Sequence, residues 1–134
     1  MTESISRPGV VLRFRDGKVV RGRLADPFEP GDRAVEAVTE DGNRLSVSLD
    51  ELKAIFFLKD PKKRRYEMEF GVTEEKHLGA PARVVFQDGE IMHGQIETYS
   101  MADGGFFIYP ANRDSNNEKV FVIAGALTSL AIEG

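Results

Sequence analysis

Residues Val10–Leu24 read VVLRFRDGKVVRGRL, and residues Ala82–Ile96 read ARVVFQDGEIMHGQI. Phe14, Asp16, Gly17, Gly22 and Leu24 return 72 residues later as Phe86, Asp88, Gly89, Gly94 and Ile96. An Asp-Gly pair between alternating apolar runs is a hairpin signal, because glycine supplies the positive φ that a tight turn demands. In the first copy Leu12 and Phe14 alternate with Arg13 and Arg15. Val20, Gly22 and Leu24 then alternate with Arg21 and Arg23. Period two is the mark of a strand with one buried face. Glycine inside a strand costs stability unless the strand bends there or another element comes close. The repeat therefore predicts two copies of one small β unit.

Working outward, Asp26–Asp32 is a Pro/Gly loop, Ala34–Thr39 a third strand, and Arg44–Ser48 a fourth after the turn at Asp41-Gly42. Leu49–Leu52 allows one helical turn. The continuous apolar run Ala54–Leu58 (AIFFL) closes the unit as a fifth strand. The second copy follows the same order with Gly105–Tyr109, Lys119–Ile123 and Ser129–Glu133. About three extra residues lie between its second and fourth strands. The expected organisation is a first small β-barrel over residues 1–60, a linker with a candidate bridging strand (Tyr66–Phe70) over 61–80, and a second small β-barrel over 81–134. Units of this size bury little surface alone and should lean on each other.

Composition bounds the function classes. The 134 residues carry a formal charge of −4 and no cysteine. Residues 1–60 hold 10 Lys+Arg against 11 Asp+Glu, 61–80 hold 5 against 4, and 81–134 hold 3 against 7. The second copy therefore has little attraction for phosphate. Disulfides, thiolate metal sites and cysteine nucleophiles are excluded together. The polar start MTESISRPG is no secretory signal, and no apolar stretch has the length of a membrane helix. These features predict a soluble, cytoplasmic protein without a membrane partner.

Five short strands with one helical turn before the last resemble the SH3-like and Sm-like small barrels. Asp-Gly-x4-Gly-x-(Leu/Ile), present in both copies, is similar to the first Sm motif. The resemblance implies an all-β fold of two tandem five-stranded barrels packed together. It does not carry the Sm RNA site: the corresponding loops read Ala25–Pro30 and Ser48–Leu52, or Thr98–Asp103 and Ala124–Leu127, and lack its residues. LDELKAIFFLKD closing the first unit and GGFFIYPANRDSNNEKVFV in the second also resemble a family of uncharacterised bacterial tandem small-barrel proteins, which implies no known activity.

The sharpest functional pattern is an arginine comb. Arg13, Arg15, Arg21 and Arg23 share the outer face of one predicted hairpin, with Lys18 at its turn. Guanidinium groups so spaced can grip phosphates or an acidic partner. The second copy has Val85, Gln87, His93 and Gln95 instead, with Glu90 at the turn. A solvated face paired with Asp16, Glu36 and Glu51 is the plainer reading of the same residues. Lys62, Lys63, Arg64 and Arg65 form a basic run before Tyr66, which suits a single strand of nucleic acid or a solvated linker. His77 and His93 have no sequence-local ligand partner, so no metal site is expected. Asp114 and Asn116 lack the glycine and terminal Glu of a calcium loop. A cyclic-dinucleotide motif of the PilZ type lacks its Ser-x2-Gly.

Phe56-Phe57 and Phe106-Phe107 are adjacent pairs. On a strand one ring of each must point away from its own core, which makes Phe57 and Phe107 candidate interface residues. No catalytic residue and no cofactor is assigned. The expectation is a non-catalytic binding, adaptor or regulatory module with a protein partner or self-association. Nucleic-acid binding through the basic face of the first barrel is the alternative.

Overall fold

The computed structural model describes residues 9–59, 79–96, 104–111 and 116–132. The first copy forms β1 (Gly9–Phe14), β2 (Val19–Leu24), β3 (Ala34–Thr39), β4 (Arg44–Ser48), one turn of 3-10 helix (Leu49–Glu51) and β5 (Leu52–Leu58). The second forms β6 (Ala80–Phe86), β7 (Ile91–Ile96), β8 (Gly105–Pro110), β9 (Asn117–Ile123), a 3-10 turn (Ala124–Ala126) and β10 (Leu127–Ile132). The protein is all-β, and the anticipated bridging strand Tyr66–Phe70 lies outside the described residues.

Both Asp-Gly hairpins are built alike. The Gly17 N–H donates to the Phe14 carbonyl (3.0 Å), and the Phe14 N–H donates to the Lys18 carbonyl (2.9 Å). Gly89 and Phe86 repeat the pattern, with φ of 96° at Gly17 and 94° at Gly89. This is a three-residue loop with glycine in the left-handed position. The Asp16 and Asp88 carboxylates accept from the N–H two residues on, at 2.9 and 3.0 Å, which locks each turn. Gly22 and Gly94 have a different cause. A Cβ on Gly22 would overlap the Val38 carbonyl oxygen, and one on Gly94 the Tyr109 carbonyl oxygen. The third strand of each copy crosses too closely for any side chain.

The strands form one sheet in the order β10-β6-β7-β8-β9-β5-β1-β2-β3-β4, with antiparallel neighbours throughout. Each half has its fifth strand first, then its first to fourth. The 72-residue offset of β1 and β2 becomes 71 at β3/β8 and 75 at β4/β9, as the equivalent pairs Val35↔Val47 and Phe106↔Val122 show. The three net extra residues are thus one lost before β8 and four gained after it.

The expectation of two tandem barrels packed together through outward aromatics is corrected on this point. The halves are joined edge to edge by main-chain pairing of β5 with β9: Ala54↔Val122, Ile55↔Phe121, Phe56↔Val120 and Phe57↔Lys119. Directly opposed residues share a face of the sheet, so the registers assign the core. Leu12, Val20, Leu24, Val35, Ala37, Val47 and Ile55 lie on one face in the first half. Ala82, Val84, Ile96, Phe106, Ile108, Val120 and Val122 lie on the opposite face in the second. The sheet covers one core with one face and the other core with its reverse. β5 and β9 are consequently buried on both sides, which is why they read as continuous apolar runs rather than alternating ones.

Gly22→Ala and Gly94→Ala should each lower stability by about 1–3 kcal/mol through overpacking. The check is the midpoint of urea unfolding. A midpoint unchanged in both would mean that β3 and β8 do not cross as closely as described.

Candidate functional site

The seam between the halves gathers the charged and aromatic residues that the repeat does not share. Leu52 pairs with Phe14 and Ala54 with Arg13, leaving Lys53 as the extra residue of a β-bulge. A bulge re-aims the side chain it carries. Lys53 is 7% exposed and reaches the acidic turn of the second half. Its Nζ donates to Asp88 Oδ2 at 2.7 Å and to Glu90 Oε1, and stands 4.7 Å from the Phe86 ring centre. Burial alone would lower the Lys53 pKa, but the bonds to Asp88 and Glu90 outweigh it and raise the value above the ordinary lysine range. The bond from Lys53, followed by that from the Glu90 N–H, holds Asp88 below the usual carboxylate range.

The arginine comb divides at this seam. The register places Arg13, Arg21 and Arg23 on one face of the hairpin, as the alternation predicts. Arg13 turns toward the second half, with its guanidinium 4.9 Å from the Phe56 ring centre and Nη1 3.9 Å from Glu90 Oε1. Its Nε is buried without a hydrogen-bond partner among the described residues. Arg15 lies in the turn. Its Nε donates to the Leu52 carbonyl at 3.2 Å, and a Cβ on Gly125 would stand 2.7 Å from its Nη2. Arg13 and Arg15 therefore both make contacts within the protein. Lys18, Arg21 and Arg23 are exposed, beside Val19 at 48% exposure, and the Lys18 Nζ sits 5.3 Å from the Phe14 ring centre.

Phe57 and Phe107 meet across the seam with ring centres 5.8 Å apart. Phe107 points away from its own half's core, as the pairing argument requires. In the other pair it is Phe56 that points away, and Phe57 shares the face of Ile55 and the first core. Phe121, opposite Ile55, also turns toward the first half. Phe28, from the loop after β2, stacks edge-on against Phe121 at 4.9 Å. Lys119 Nζ lies 4.5 Å from the Phe107 ring centre and 5.4 Å from that of Phe57. Lys53, which bonds the acidic turn of the second half, carried no sequence signal beyond being the only cation between Leu52 and Leu58.

Lys62, Lys63, Arg64, Arg65, His77 and Asp114 lie outside the described residues, and His93 is exposed on β7. Among the described residues no group of three His, Asp or Glu side chains is placed to hold a metal ion. No helix there is long and apolar enough to cross a membrane. A family profile described as a family of unknown function (DUF6982) matches residues 6–134, so one match spans both copies. No curated protein and no solved structure matches the chain.

The two pKa shifts set the pH behaviour of the seam. Asp88, depressed in the folded state, contributes stability that is present above about pH 4, the unfolded aspartate value, and is lost as pH falls through its folded value. Lys53, raised in the folded state, contributes stability that is complete below about pH 10 and is lost as pH rises through its folded value. Lys53→Met should cost about 1–2 kcal/mol at neutral pH, the worth of charge-assisted bonds to carboxylates that are themselves half exposed. Thermal unfolding of both proteins from pH 3 to pH 11 tests this. The gap should be flat in mid-range and narrow at both ends, and a gap independent of pH would exclude the ionic account.

Proposed function

The chain belongs to that family of unknown function, and we propose that it is a non-catalytic binding module of the adaptor or regulatory kind. Its contact surface is the outer face of β2, formed by Lys18, Arg21 and Arg23 around Val19. The observation that carries this reading is the division of the comb. Arg13 and Arg15 make contacts at the seam, and Arg21, one strand away from it, is exposed on the outer face of the same hairpin.

Two arginines two residues apart on a strand have their Cα atoms about 7 Å apart and point to the same face. That spacing suits two carboxylates of an acidic peptide, each held by a planar fork of donors. Val19, exposed beside Arg21 on the same face, adds apolar contact at little cost. The net charge of −4, supplied mostly by the second half, opposes any long polyanion, so the face suits a short segment with a few carboxylates. The strand order within each half, fifth-first-second-third-fourth, supports reading each as a small barrel of the SH3-like or Sm-like kind. Such barrels commonly serve as interaction modules.

Arg21→Glu/Arg23→Glu should weaken binding of a fluorescent poly-glutamate probe by about tenfold or more at low ionic strength, where exposed charges act most strongly. Anisotropy titration measures it, with poly-uridine RNA as the second arm. Tighter binding of the RNA, lost in the same variant, would favour the nucleic-acid reading. Failure of the protein to bind either probe would remove the basic face as a contact surface.

A further inference from the structure

We propose that copies of this chain join head to tail by repeating, between molecules, the strand pairing that joins the two halves within one. The inference is separate from the basic face of β2 and rests on the internal repeat of the sheet.

Inside the molecule the fifth strand of the first half, β5, pairs with the fourth strand of the second, β9. The two ends of the sheet are the complementary pair of elements. β4 is the fourth strand of the first half, and β10 is the fifth strand of the second. Among the described residues neither pairs on its outer side. A molecule therefore ends in one element of each type that the seam already joins.

The register follows from the 75-residue offset that relates β5 to β10 and β4 to β9. Ala54↔Val122 and Phe57↔Lys119 at the seam become Ser129↔Val47 and Ile132↔Arg44 between molecules. The exposures are those of a joint left open. Phe57 is 6% exposed where β9 covers it, and its counterpart Ile132 is 49% exposed. Val120 is fully buried behind β5, whereas its counterpart Leu45 on β4 is only half-buried. β10 as a strand is half-buried or exposed along its whole length, against the nearly continuous burial of β5. Both copies also carry the bulge before the pairing segment, at Lys53 and at Thr128.

Chemistry makes the outer joint weaker than the inner one without making it repulsive. Lys53 is replaced by Thr128, and Phe107 and Phe121 by Glu36 and Ser46. Arg44 replaces Lys119, so a cation with a long apolar stem again lies against an apolar residue. Joining is thus expected to be reversible and concentration-dependent. The interface is heterologous, so it builds a closed ring or an open filament.

Sedimentation velocity of the full chain over a wide concentration range tests the proposal. The expected result is a species larger than the monomer that grows with concentration. Ile132→Lys sets two cations opposite each other and should raise the apparent dissociation constant by about tenfold or more. Adding Arg44→Glu to that variant should restore association, and circular dichroism establishes that both variants remain folded. A chain that stays monomeric at the highest concentration overturns the proposal, and so does an assembly indifferent to Ile132→Lys. Loss of poly-glutamate binding on Arg21→Glu/Arg23→Glu leaves the assembly untouched, which keeps the two readings apart.

Discussion

The antiparallel pairing of β5 with β9 is the constraint on which the remainder of the structure depends. Each half has only five strands and two edges, and an edge exposes unpaired main-chain donors and acceptors. Pairing these two edges removes one from each half and fuses two small cores into one body. It also forces both strands to be apolar on both sides. Ile55 and Phe121 serve the first core, while Phe56, Val120 and Val122 serve the second. Neither core is complete without the other half's strand, so the halves are not independent units that happen to touch.

The seam also accounts for how the copies have diverged. Where the first copy meets the second it carries Lys53 and Arg13, and the second copy has Thr128 and Val85 at the corresponding positions; Gln87, the counterpart of Arg15, donates to the Gly125 carbonyl. The acids that receive Lys53, Asp88 and Glu90, belong to the second copy's turn, and the first copy has Asp16 and Lys18 there. A lysine in the bulge of β5 and a glutamate after the second Asp-Gly are two ends of one contact. The aspartate has a second duty, since in both copies it accepts from the N–H that closes its turn. The difference in charge between the halves is thus partly an internal matter.

Much of this was legible in the chain. The alternation in β1 to β4, the Asp-Gly turns, the helical turn before β5 and the interior glycines all have local causes, and local causes leave local patterns. The adjacent phenylalanine pairs also announced that outward rings needed cover. The continuous sheet was not legible, because strand pairing between halves is a long-range contact with no periodicity of its own. AIFFL and VFVI signal burial on two faces but do not name the partner. For the same reason Phe57 was taken as the outward ring when Phe56 is. Face assignment depends on the register around the bulge at Lys53, and one extra residue reverses every later side chain. The alternation places Arg13, Arg21 and Arg23 on one face, but nothing local tells that Arg15 falls in the turn or that Arg13 leans on Phe56.

The seam sets Arg13 apart from the rest of the comb, because its guanidinium lies over Phe56 and near Glu90 of the second half. Arg21 lies one strand further from the seam, on β2, where the sheet has turned its outer face to solvent. The same geometry separates three kinds of surface. The strands at the centre of the sheet hold the halves together, the strands at its ends pair on one side only among the described residues, and the outer face of β2 lies between them. A protein built in this way can add copies along its edges without covering the face that carries Arg21 and Arg23. Repeated along a ring or filament, two guanidinium groups per chain become a periodic basic surface, and a partner with several acidic segments would gain from it through effective concentration rather than through any new contact.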